Sequence, residues 1–497
     1  MSAPSAPAAN NRYDGYGLLD FQKAMDDGHL SSAELVAYYL DRIDKLDSRG
    51  PALRAVLSLN AEAEAIAARL DMERAQGRVR GPLHGIPVML KANINTDDDM
   101  STTAGSLALR GFHPGRDAGF VRHLRDAGAI ILGKTNLSEW ANFRSTHSSS
   151  GWSSEGGQTR NPYALDRTPG GSSSGSAVAV ATGLCALAIG TETDGSIVSP
   201  SSFNSIVGIK PTVGLVSQQG IIPISHSQDT AGPMARSVAD AAALLAAIAE
   251  PDAVARMTGG IVQAARADLD GVRLGFAPSQ SAFLPSVDAA MRDTRAVLAG
   301  LGAQLVEIEL PDDHEMEAAE LELMLYEIKD GLHRYLSTYG SASGPKTIDD
   351  LIAFNRDNAG AVMPWFGQEL FEMAASKGTL DDPAYLRARE VCRTHSRDLG
   401  IDRVLGQHRL DAIIGPSGGP PWKIDHLIGD HCLGGTASYP AVAGYPNITV
   451  PAGFIHGLPF GMSVFGRAYS EPQLIGIAMA FETATHSRRT PSFVAAS

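Results

Sequence analysis

Three residues of the chain, Lys91, Ser172 and Ser196, have types and surroundings that suit covalent chemistry. Lys91 follows the apolar run 86–90, and both serines lie in stretches rich in glycine and small polar residues. A lysine held out of water can stay neutral near pH 7 and act as a base. Two serines close together would provide a nucleophile and a proton relay. The combination predicts acyl transfer at an amide.

The stretch around Ser196 predicts a strand that ends in a turn. Its glycine, Gly195, allows backbone N–H groups to point into a site, where several of them can form an oxyanion hole. Ser172 lies 24 residues upstream, with one predicted helix and one predicted strand between the two serines. That length returns the chain to the same end of a sheet. We therefore expect the two serines to lie close together.

The rest of the chain predicts elements that would hold these residues. Two amphipathic helices are predicted over 18–26 and 32–46, the second with a capping box formed by Ser31 and Glu34. Further helices are predicted over 61–76, 118–127, 172–182, 238–249 and 287–301 and, with few strands, from about 315 to 399. Strands are predicted over 86–90, 130–133, 186–190, 272–276, 304–310, 412–414, 448–450 and 462–465.

This alternation predicts an α/β fold with a single large mixed, mostly parallel sheet that is covered by helices on both faces. The interior has no linker rich in proline, serine or glycine at which to divide it. We therefore expect residues 13–497 to form one catalytic domain, preceded by a disordered tail over residues 1–12. The helical region from about 313 to 400 is expected to cap the site.

The composition excludes several classes of protein. The chain has 497 residues, 44% of them hydrophobic and 19% charged, which is enough for a large core. Its formal net charge of −14 argues against nucleic acid as a partner. The N-terminus does not resemble a signal peptide, and no apolar run approaches the ~20 residues of a membrane helix. Cys185, Cys392 and Cys432 are too far apart to suggest a disulfide framework. We expect a cytoplasmic protein, not bound to a membrane, that is a monomer or a homodimer.

Taken together, the three stretches resemble the amidase signature family. The resemblance runs from about residue 18 to the C-terminal region and is most specific between residues 133 and 240. It places Lys91, Ser172 and Ser196 on the Lys–cis-Ser–Ser triad of that family, and the turn before Ile197 on its oxyanion loop. The residues implied for the oxyanion hole are Thr193, Asp194, Gly195 and Ser196.

Several segments resemble one branch of that family more closely, the bacterial peptide amidases. These segments are 139–144, 157–162, 190–198, 220–225 and 228–230. The resemblance implies hydrolysis of the C-terminal amide of a peptide to the free acid and ammonia, with no cofactor and no metal ion. Ser196 would attack the carbonyl, and Ser172 would pass the proton of Ser196 to Lys91.

Two other functions stay open. One is the same chemistry on another small-molecule amide, such as an aryl or fatty acyl amide. The other is the glutaminase subunit of a tRNA-dependent amidotransferase. Most members of the family carry Arg two residues after the nucleophile, where this chain has Val198. That difference argues against a site that binds a substrate carboxylate, as the site of a glutaminase must.

Aromatic and charged residues elsewhere are candidates for supporting roles. Trp422 and Phe143 are predicted to bind substrate, with core packing as the alternative for Trp422. Asp229 and Arg236 are predicted to brace the loop beneath Ser196.

Residues 425–432 contain a group of possible metal ligands. They are Asp425, His426, Asp430, His431 and Cys432. The five-residue spacing between His426 and His431 is not the i, i+4 pairing of a helical metal site, so a polar loop near the pocket rim is favoured and no metal is predicted. His226 lies between two serines but has no evident carboxylate partner of the triad type, so it is not favoured as a catalytic residue.

Overall fold

The structure, a computed structural model, describes residues 11–262, 268–311, 314–340 and 344–496. The predicted tail over residues 1–12 therefore lies outside the described residues, apart from Asn11 and Arg12. The side chain of Asn11 accepts a hydrogen bond from the Tyr38 hydroxyl at 2.8 Å, so this end of the predicted tail contacts the folded chain.

The N-terminal region forms the helices predicted for it. They are α1 (Leu18–Asp26), α2 (Ser32–Arg42) and α3 (Ala63–Ala75). The predicted capping box of α2 is confirmed, since the Glu34 N–H donates to Ser31 Oγ at 3.1 Å and the Ser31 N–H donates to Glu34 Oε2 at 2.8 Å. A π-helical segment, Ile43–Ser48, extends α2 past its predicted end at residue 46.

The strands of the described chain are β1 (Val56–Leu59), β2 (Pro87–Lys91), β3 (Ile130–Thr135), β4 (Trp152–Ser153), β5 (Gly157–Gln158), β6 (Leu187–Glu192), β7 (Val207–Lys210), β8 (Thr230–Ala235), β9 (Arg273–Phe276), β10 (Gln304–Glu307), β11 (Ala412–Pro416), β12 (Asn447–Ile455) and β13 (Leu458–Phe465). Eleven of them form one sheet in the order β1-β3-β2-β6-β8-β7-β12-β13-β11-β9-β10. The short strands β4 and β5 pair with each other.

The pairing within the large sheet confirms that it is mixed and corrects the prediction that it is mostly parallel. Six neighbouring pairs are antiparallel. The other four are parallel, namely β2 with β3, β2 with β6, β9 with β11 and β9 with β10. In the centre of the sheet, β7 and β8 are consecutive strands, as are β12 and β13, and neither pair is connected through a crossover helix. Antiparallel neighbours can be joined by a short turn, whereas parallel neighbours need a crossover.

Helices cover both faces of this sheet. Those after α3 are α4 (Gly119–Asp126), α5 (Ser174–Thr182), α6 (Val198–Phe203), α7 (Val238–Ile248), α8 (Pro251–Val254), α9 (Pro285–Gly300), α10 (His314–Tyr339), α11 (Ile348–Asp357), α12 (Ala359–Val362), α13 (Glu369–Ala375), α14 (Pro383–Arg393), α15 (Asp402–His408), α16 (Ser438–Val442) and α17 (Glu471–Thr485). Helix α5 packs on β2, β3 and β6, and α7 packs on β6, β7 and β8. The prediction of a mainly helical region from about 315 to 399 is confirmed by α10 to α14.

Burial in this core explains how polar residues of the central strands can be shielded from water. Every residue of β2, β3 and β6 is buried, as expected for strands with neighbours on both sides and helices above and below. Cys185, Cys392 and Cys432 are free thiols. Among the helices of the described ranges, none is long and apolar enough to cross a membrane.

Candidate active site

Lys91 is the last residue of β2, and its terminal amine lies among hydroxyl and carbonyl oxygens. Its Nζ is 2.7 Å from Ser172 Oγ, 2.9 Å from Thr191 Oγ1 and 3.1 Å from the Thr191 carbonyl oxygen. Thr191 lies on β6, the strand beside β2. Lys91 has no exposed surface. The strand pairing therefore fixes the position of the amine and excludes water from it.

Burial lowers the pKa of Lys91 to about 7. The cause is the loss of hydration of the charged form, which the negative charges of Asp229 and Glu192 only partly offset. At neutral pH a large fraction of Lys91 is therefore uncharged. An uncharged amine has a lone pair and can take a proton from a neighbouring hydroxyl.

Ser172 lies between Lys91 and Ser196. Its Oγ is 3.0 Å from Ser196 Oγ, so the three residues form a row of hydrogen-bonded polar atoms. The peptide bond between Gly171 and Ser172 is cis. A Cβ added at Gly171 would stand 2.3 Å from Ser138 Oγ, so a larger residue there would have to displace that side chain. The Ser173 N–H donates to the Ser196 carbonyl at 3.2 Å and ties the two serine loops together.

The turn from Thr193 to Ser196 follows β6 and is held from two sides. Gly195 has a φ of +73°, a conformation that favours glycine. Glu192 accepts the N–H of Ile197 at 2.6 Å and that of Val198 at 3.0 Å. The Thr193 hydroxyl donates to Asp229 Oδ1 at 2.6 Å. These contacts fix the backbone on both sides of Ser196.

Asp229 braces this turn as predicted, whereas Arg236 does not. Asp229 Oδ2 also accepts the N–H groups of Ile224 and Ser225. Strand β8 runs antiparallel to β6, with Thr230 opposite Glu192. The beginning of β8 therefore lies beside the turn, and its end lies at the other end of β6. Arg236, beyond that end of β8, donates to the carbonyls of Cys185 and Tyr16. It therefore holds the N-terminal region against the ends of β6 and β8 that lie away from the turn.

Several buried charges surround the turn. Burial raises the pKa of Asp194 and of Asp229 to about 6 in each case, and it raises the pKa of Glu192. Burial lowers the pKa of Lys210 to about 8, and its Nζ donates to the carbonyls of Pro440 and Tyr445. The positive charge of Lys210 favours the charged form of Glu192.

A cavity of about 750 Å³ opens beside this turn. Gly171 and Gly195, the neighbours of the two serines, form part of its wall. Trp422 lines the cavity, and its indole packs edge-to-face on Phe203 with ring centroids 5.3 Å apart. Ser196 retains 7% of its surface exposed, and its neighbour Gly195 lines the cavity.

Phe143 does not line this cavity, which corrects its predicted position. Trp140, Ala141 and Asn142 have positive φ values, and this sharp turn of the backbone directs Phe143 into a separate hydrophobic cluster that includes residues of α10, α11 and α13. Asn142, the preceding residue, faces the cavity instead.

The region predicted to cap the site contributes α10. Glu317 of this helix lines the cavity. Glu320, one turn later, accepts a hydrogen bond from Gln228 Nε2 at 2.7 Å, and Gln228 also reaches the Thr193 carbonyl at 3.3 Å. Helix α10 is thus connected to the turn before Ser196 through a single glutamine.

The possible metal ligands at 425–432 do not converge. Asp425 accepts backbone N–H groups of its own loop, while Asp430 accepts from the Ser150 N–H and Trp422 Nε1. The ring of His426 stacks on Trp365 at 4.9 Å. Over the described residues, no group of three or more His, Cys, Asp or Glu side chains could hold a metal ion.

His226 has a carboxylate neighbour that the sequence did not reveal. Its Nδ1 lies 3.5 Å from Glu327 Oε2. Ser225 and Ser227 donate directly to that same oxygen at 2.5 Å and 2.9 Å. Glu327 therefore collects the two hydroxyls itself, and the arrangement differs from a triad in which histidine stands between serine and carboxylate.

Three polar residues of the site were missed by the sequence reasoning as individual functional groups. Thr191 contacts Lys91 through two oxygens, and Asn93 Nδ2 donates to Thr191 Oγ1 at 3.0 Å. Glu192 holds the turn. Asn93 lies two residues after Lys91, in the turn that follows β2, and its closeness to Lys91 in the sequence could have found it.

Comparisons by family profile, by structure and by sequence all relate this chain to amidases and their relatives. The Amidase family profile matches residues 34–475. The crystal structure of native peptide amidase from Stenotrophomonas maltophilia superimposes with a TM-score of 0.91 at 50% identity, over 98% of this chain and 99% of that one. A probable amidase of Arabidopsis thaliana is 40% identical over 96% of this chain and 91% of its own length. One subunit of the glutamyl-tRNA(Gln) amidotransferase from Symbiobacterium thermophilum is 36% identical, over 94% of this chain and 96% of its own length. The chain therefore belongs to the amidase signature family and is a hydrolase that acts on amide bonds.

Proposed function

We propose that this amidase hydrolyses the C-terminal amides of peptides and that Ser196 is its nucleophile. The observation that carries the proposal is the row of atoms Lys91 Nζ, Ser172 Oγ and Ser196 Oγ, with separations of 2.7 and 3.0 Å, which ends beside the cavity. A serine hydroxyl is a weak nucleophile until a base takes its proton. Lys91, buried and partly neutral, is positioned to act as that base through Ser172.

The first half of the reaction forms an acyl-enzyme. Ser196 Oγ bonds to the amide carbon while its proton moves to Ser172 Oγ, and the proton of Ser172 moves to Lys91 Nζ. The negative charge on the carbonyl oxygen is stabilised by backbone N–H groups of the turn Thr193 to Ser196. The C–N bond then breaks, and the relay returns the proton to the departing nitrogen, which leaves as ammonia.

Water completes the cycle. It attacks the ester carbon of the acyl-enzyme and gives its proton to the same relay. The bond between carbon and Ser196 Oγ breaks, and the proton returns to Ser196. The product is the free acid. Because a buried lysine with a pKa of about 7 can both take and return a proton near neutral pH, one relay serves both halves.

The size of the cavity and the similarity to a peptide amidase support a peptide as the substrate. A volume of about 750 Å³ accommodates more than a small amide such as glutamine. A glutaminase role is the second candidate, favoured by the 36% identity to one chain of an amidotransferase. Val198 opposes it, because this buried side chain stands where most of the family carries a cation, and its N–H is engaged by Glu192.

The nucleophile is tested by Ser196→Ala with Ser396→Ala as the control. Ser396 is also buried, but its Oγ donates only to the Cys392 carbonyl, away from the site. We expect Ser196→Ala to lower kcat by about 10⁴-fold or more and Ser396→Ala to leave it within about twofold. Ammonia release is measured on a peptide amide, glutamine, an anilide and oleamide. A folded Ser196→Ala protein with full activity would remove the assignment, and release from glutamine alone would replace peptide amides as the substrate class.

A further inference from the structure

Three strongly exposed apolar side chains lie on one loop next to the cavity. Leu427, Ile428 and Leu433 are 86%, 66% and 60% exposed. Beside them, His426 of the same loop stacks on Trp365, which is 46% exposed and lies between α12 and α13. We call these five residues the apolar lip. Exposed apolar groups concentrated at one place on a surface are typical of binding sites.

The loop that carries the apolar lip is held in place at both ends. Asp425 Oδ1 accepts the N–H groups of Leu427 at 2.9 Å and Ile428 at 3.0 Å. At the other end, Asp430 Oδ1 accepts the Ser150 N–H at 3.1 Å and Trp422 Nε1 at 3.2 Å. The exposed side chains therefore stand on a braced turn, and binding there would cost little ordering of the protein.

The apolar lip reaches the site through Leu433. Leu433 lines the cavity together with Trp422 and Gly195, while Leu427 and Ile428 point into solvent from the same loop. A peptide whose C-terminal amide reaches Ser196 must leave the cavity with the rest of its chain. Each extended residue advances about 3.3–3.6 Å, so the residues before the last one come to the cavity wall.

We propose that the apolar lip binds apolar side chains upstream of the C-terminal residue of a peptide amide. The inference rests on the proposed function and adds a substrate preference to it. Binding removes the surfaces of Leu427 and Ile428 from water together with the substrate side chains that cover them. Preference for an apolar upstream sequence thus comes from the mouth of the cavity and not from the reacting residues.

Two features favour the substrate over other occupants of the apolar lip. Leu433 lines the cavity itself, so a peptide that leaves the cavity along this loop can cover Leu433 and continue toward Leu427. The formal net charge of −14 and the carboxylates Asp194 and Glu317 in the cavity wall oppose approach to an anionic membrane. A second copy of the chain would carry the same unfavourable charge.

The test compares three substrates on three proteins. The substrates are N-acetyl-Phe amide, N-acetyl-Leu-Leu-Phe amide and N-acetyl-Ser-Ser-Phe amide. The proteins are the wild type, the double variant Leu427→Ser with Ile428→Ser, and Leu19→Ser as the control. Leu19 is 80% exposed on α1, far along the chain from the site. All three positions are exposed, so the variants keep their core.

In the wild type we expect the KM of the leucine-extended amide to be about tenfold lower than that of the serine-extended amide. A tenfold difference in affinity corresponds to the burial of roughly 55 Å² of additional apolar surface. The double variant should bring this ratio to about two or less, with kcat on N-acetyl-Phe amide unchanged, and Leu19→Ser should keep it. An equal ratio in wild type and double variant overturns the inference while the proposed function stands. Sedimentation that shows a wild-type dimer lost in the double variant also overturns it, and no hydrolysis of any peptide amide overturns both.

Discussion

Two buried lysines on adjacent strands show what separates a potential base from a structural cation. Lys91 ends β2 and Lys134 lies in β3, and neither has exposed surface. Burial lowers the pKa of each of them to about 7. By burial and pKa alone the two residues are equivalent.

Their partners differ because the strand register sends the two side chains to opposite faces of the sheet. Lys91 pairs with Thr135, and Lys134 pairs with Leu90; successive residues of a strand alternate in direction. Lys134 Nζ donates to the Ile94 carbonyl and to Thr102 Oγ1. Lys91 reaches a hydroxyl that continues to a second hydroxyl. The Thr102 hydroxyl donates its own proton to the Ile94 carbonyl at 3.3 Å, so the row of hydroxyls beside Lys134 stops there. The neighbours, and not burial, therefore make the difference between the lysines.

The largest effect should separate the two lysines by activity. Methionine keeps the length of lysine and removes its amine. We expect Lys91→Met to lower kcat on a peptide amide by about 10³-fold or more, because the relay loses its base. Lys134→Met should keep kcat within about threefold but lower the free energy of unfolding by about 1–3 kcal/mol, since two buried oxygens lose their donor. Steady-state kinetics and urea unfolding measure both, and equal loss of kcat in the two variants would erase the distinction.

The pH dependence of activity should also belong to one lysine. The base must be neutral, and Lys91 with a pKa of about 7 becomes protonated as the pH falls. We therefore expect kcat/KM to fall about tenfold per pH unit below pH 7 and to stay level above it. Lys134→Met should keep this profile, and Lys91→Arg should be inactive at every pH because guanidinium stays charged. A bell-shaped profile with its maximum near pH 6 would mean that Lys91 is not the base.

Stability should respond to both lysines with the same sign. In the folded chain each has a pKa of about 7, against about 10.4 when unfolded. Between these values the unfolded state binds more protons, so the free energy of unfolding rises with pH over that window. Lys134→Met should remove one of the two contributions and flatten the rise measured by urea titrations at pH 7, 8 and 9. A variant with the wild-type slope would show that Lys134 is charged in the folded state.

The sequence allowed Lys91 to be found because an apolar run leads into it and two glycine-rich serine loops follow. Lys134 was missed for a local reason, since the predicted strand stopped at Gly133 whereas β3 continues to Thr135. The antiparallel centre was missed because β8 contains Gly232 and Pro233, residues that are uncommon inside strands. A single-sequence pattern does not show which strands will be neighbours.

Contacts between distant segments account for the rest of the difference. The position of Phe143 depends on helices that lie more than 150 residues later in the chain. The role of Arg236 depends on which end of β8 lies beside the turn, and that follows from the pairing with β6. Asp229 was placed correctly, although its hydrogen bond to Thr193 joins residues 36 apart in the chain and depends on the same pairing of β6 with β8. The pairing of these two strands therefore agrees with the predicted contact of Asp229 and excludes the predicted contact of Arg236.

The smallest effect concerns the threonine beside each lysine. Three oxygens surround Lys91 Nζ, and two of them belong to Thr191. They match the three N–H donors of a charged lysine. Thr191→Val removes one acceptor, so the charged form becomes less favourable and the pKa of Lys91 falls further. The acid limb of kcat/KM should then move to lower pH by less than about one unit, with the plateau changed severalfold at most.

Thr102→Val removes the matching hydroxyl beside Lys134 and should leave the profile in place. Full pH–rate profiles of the two variants on one peptide amide provide the measurement. A shift to higher pH in Thr191→Val, or an equal shift in both variants, would mean that Lys91 does not set the acid limb.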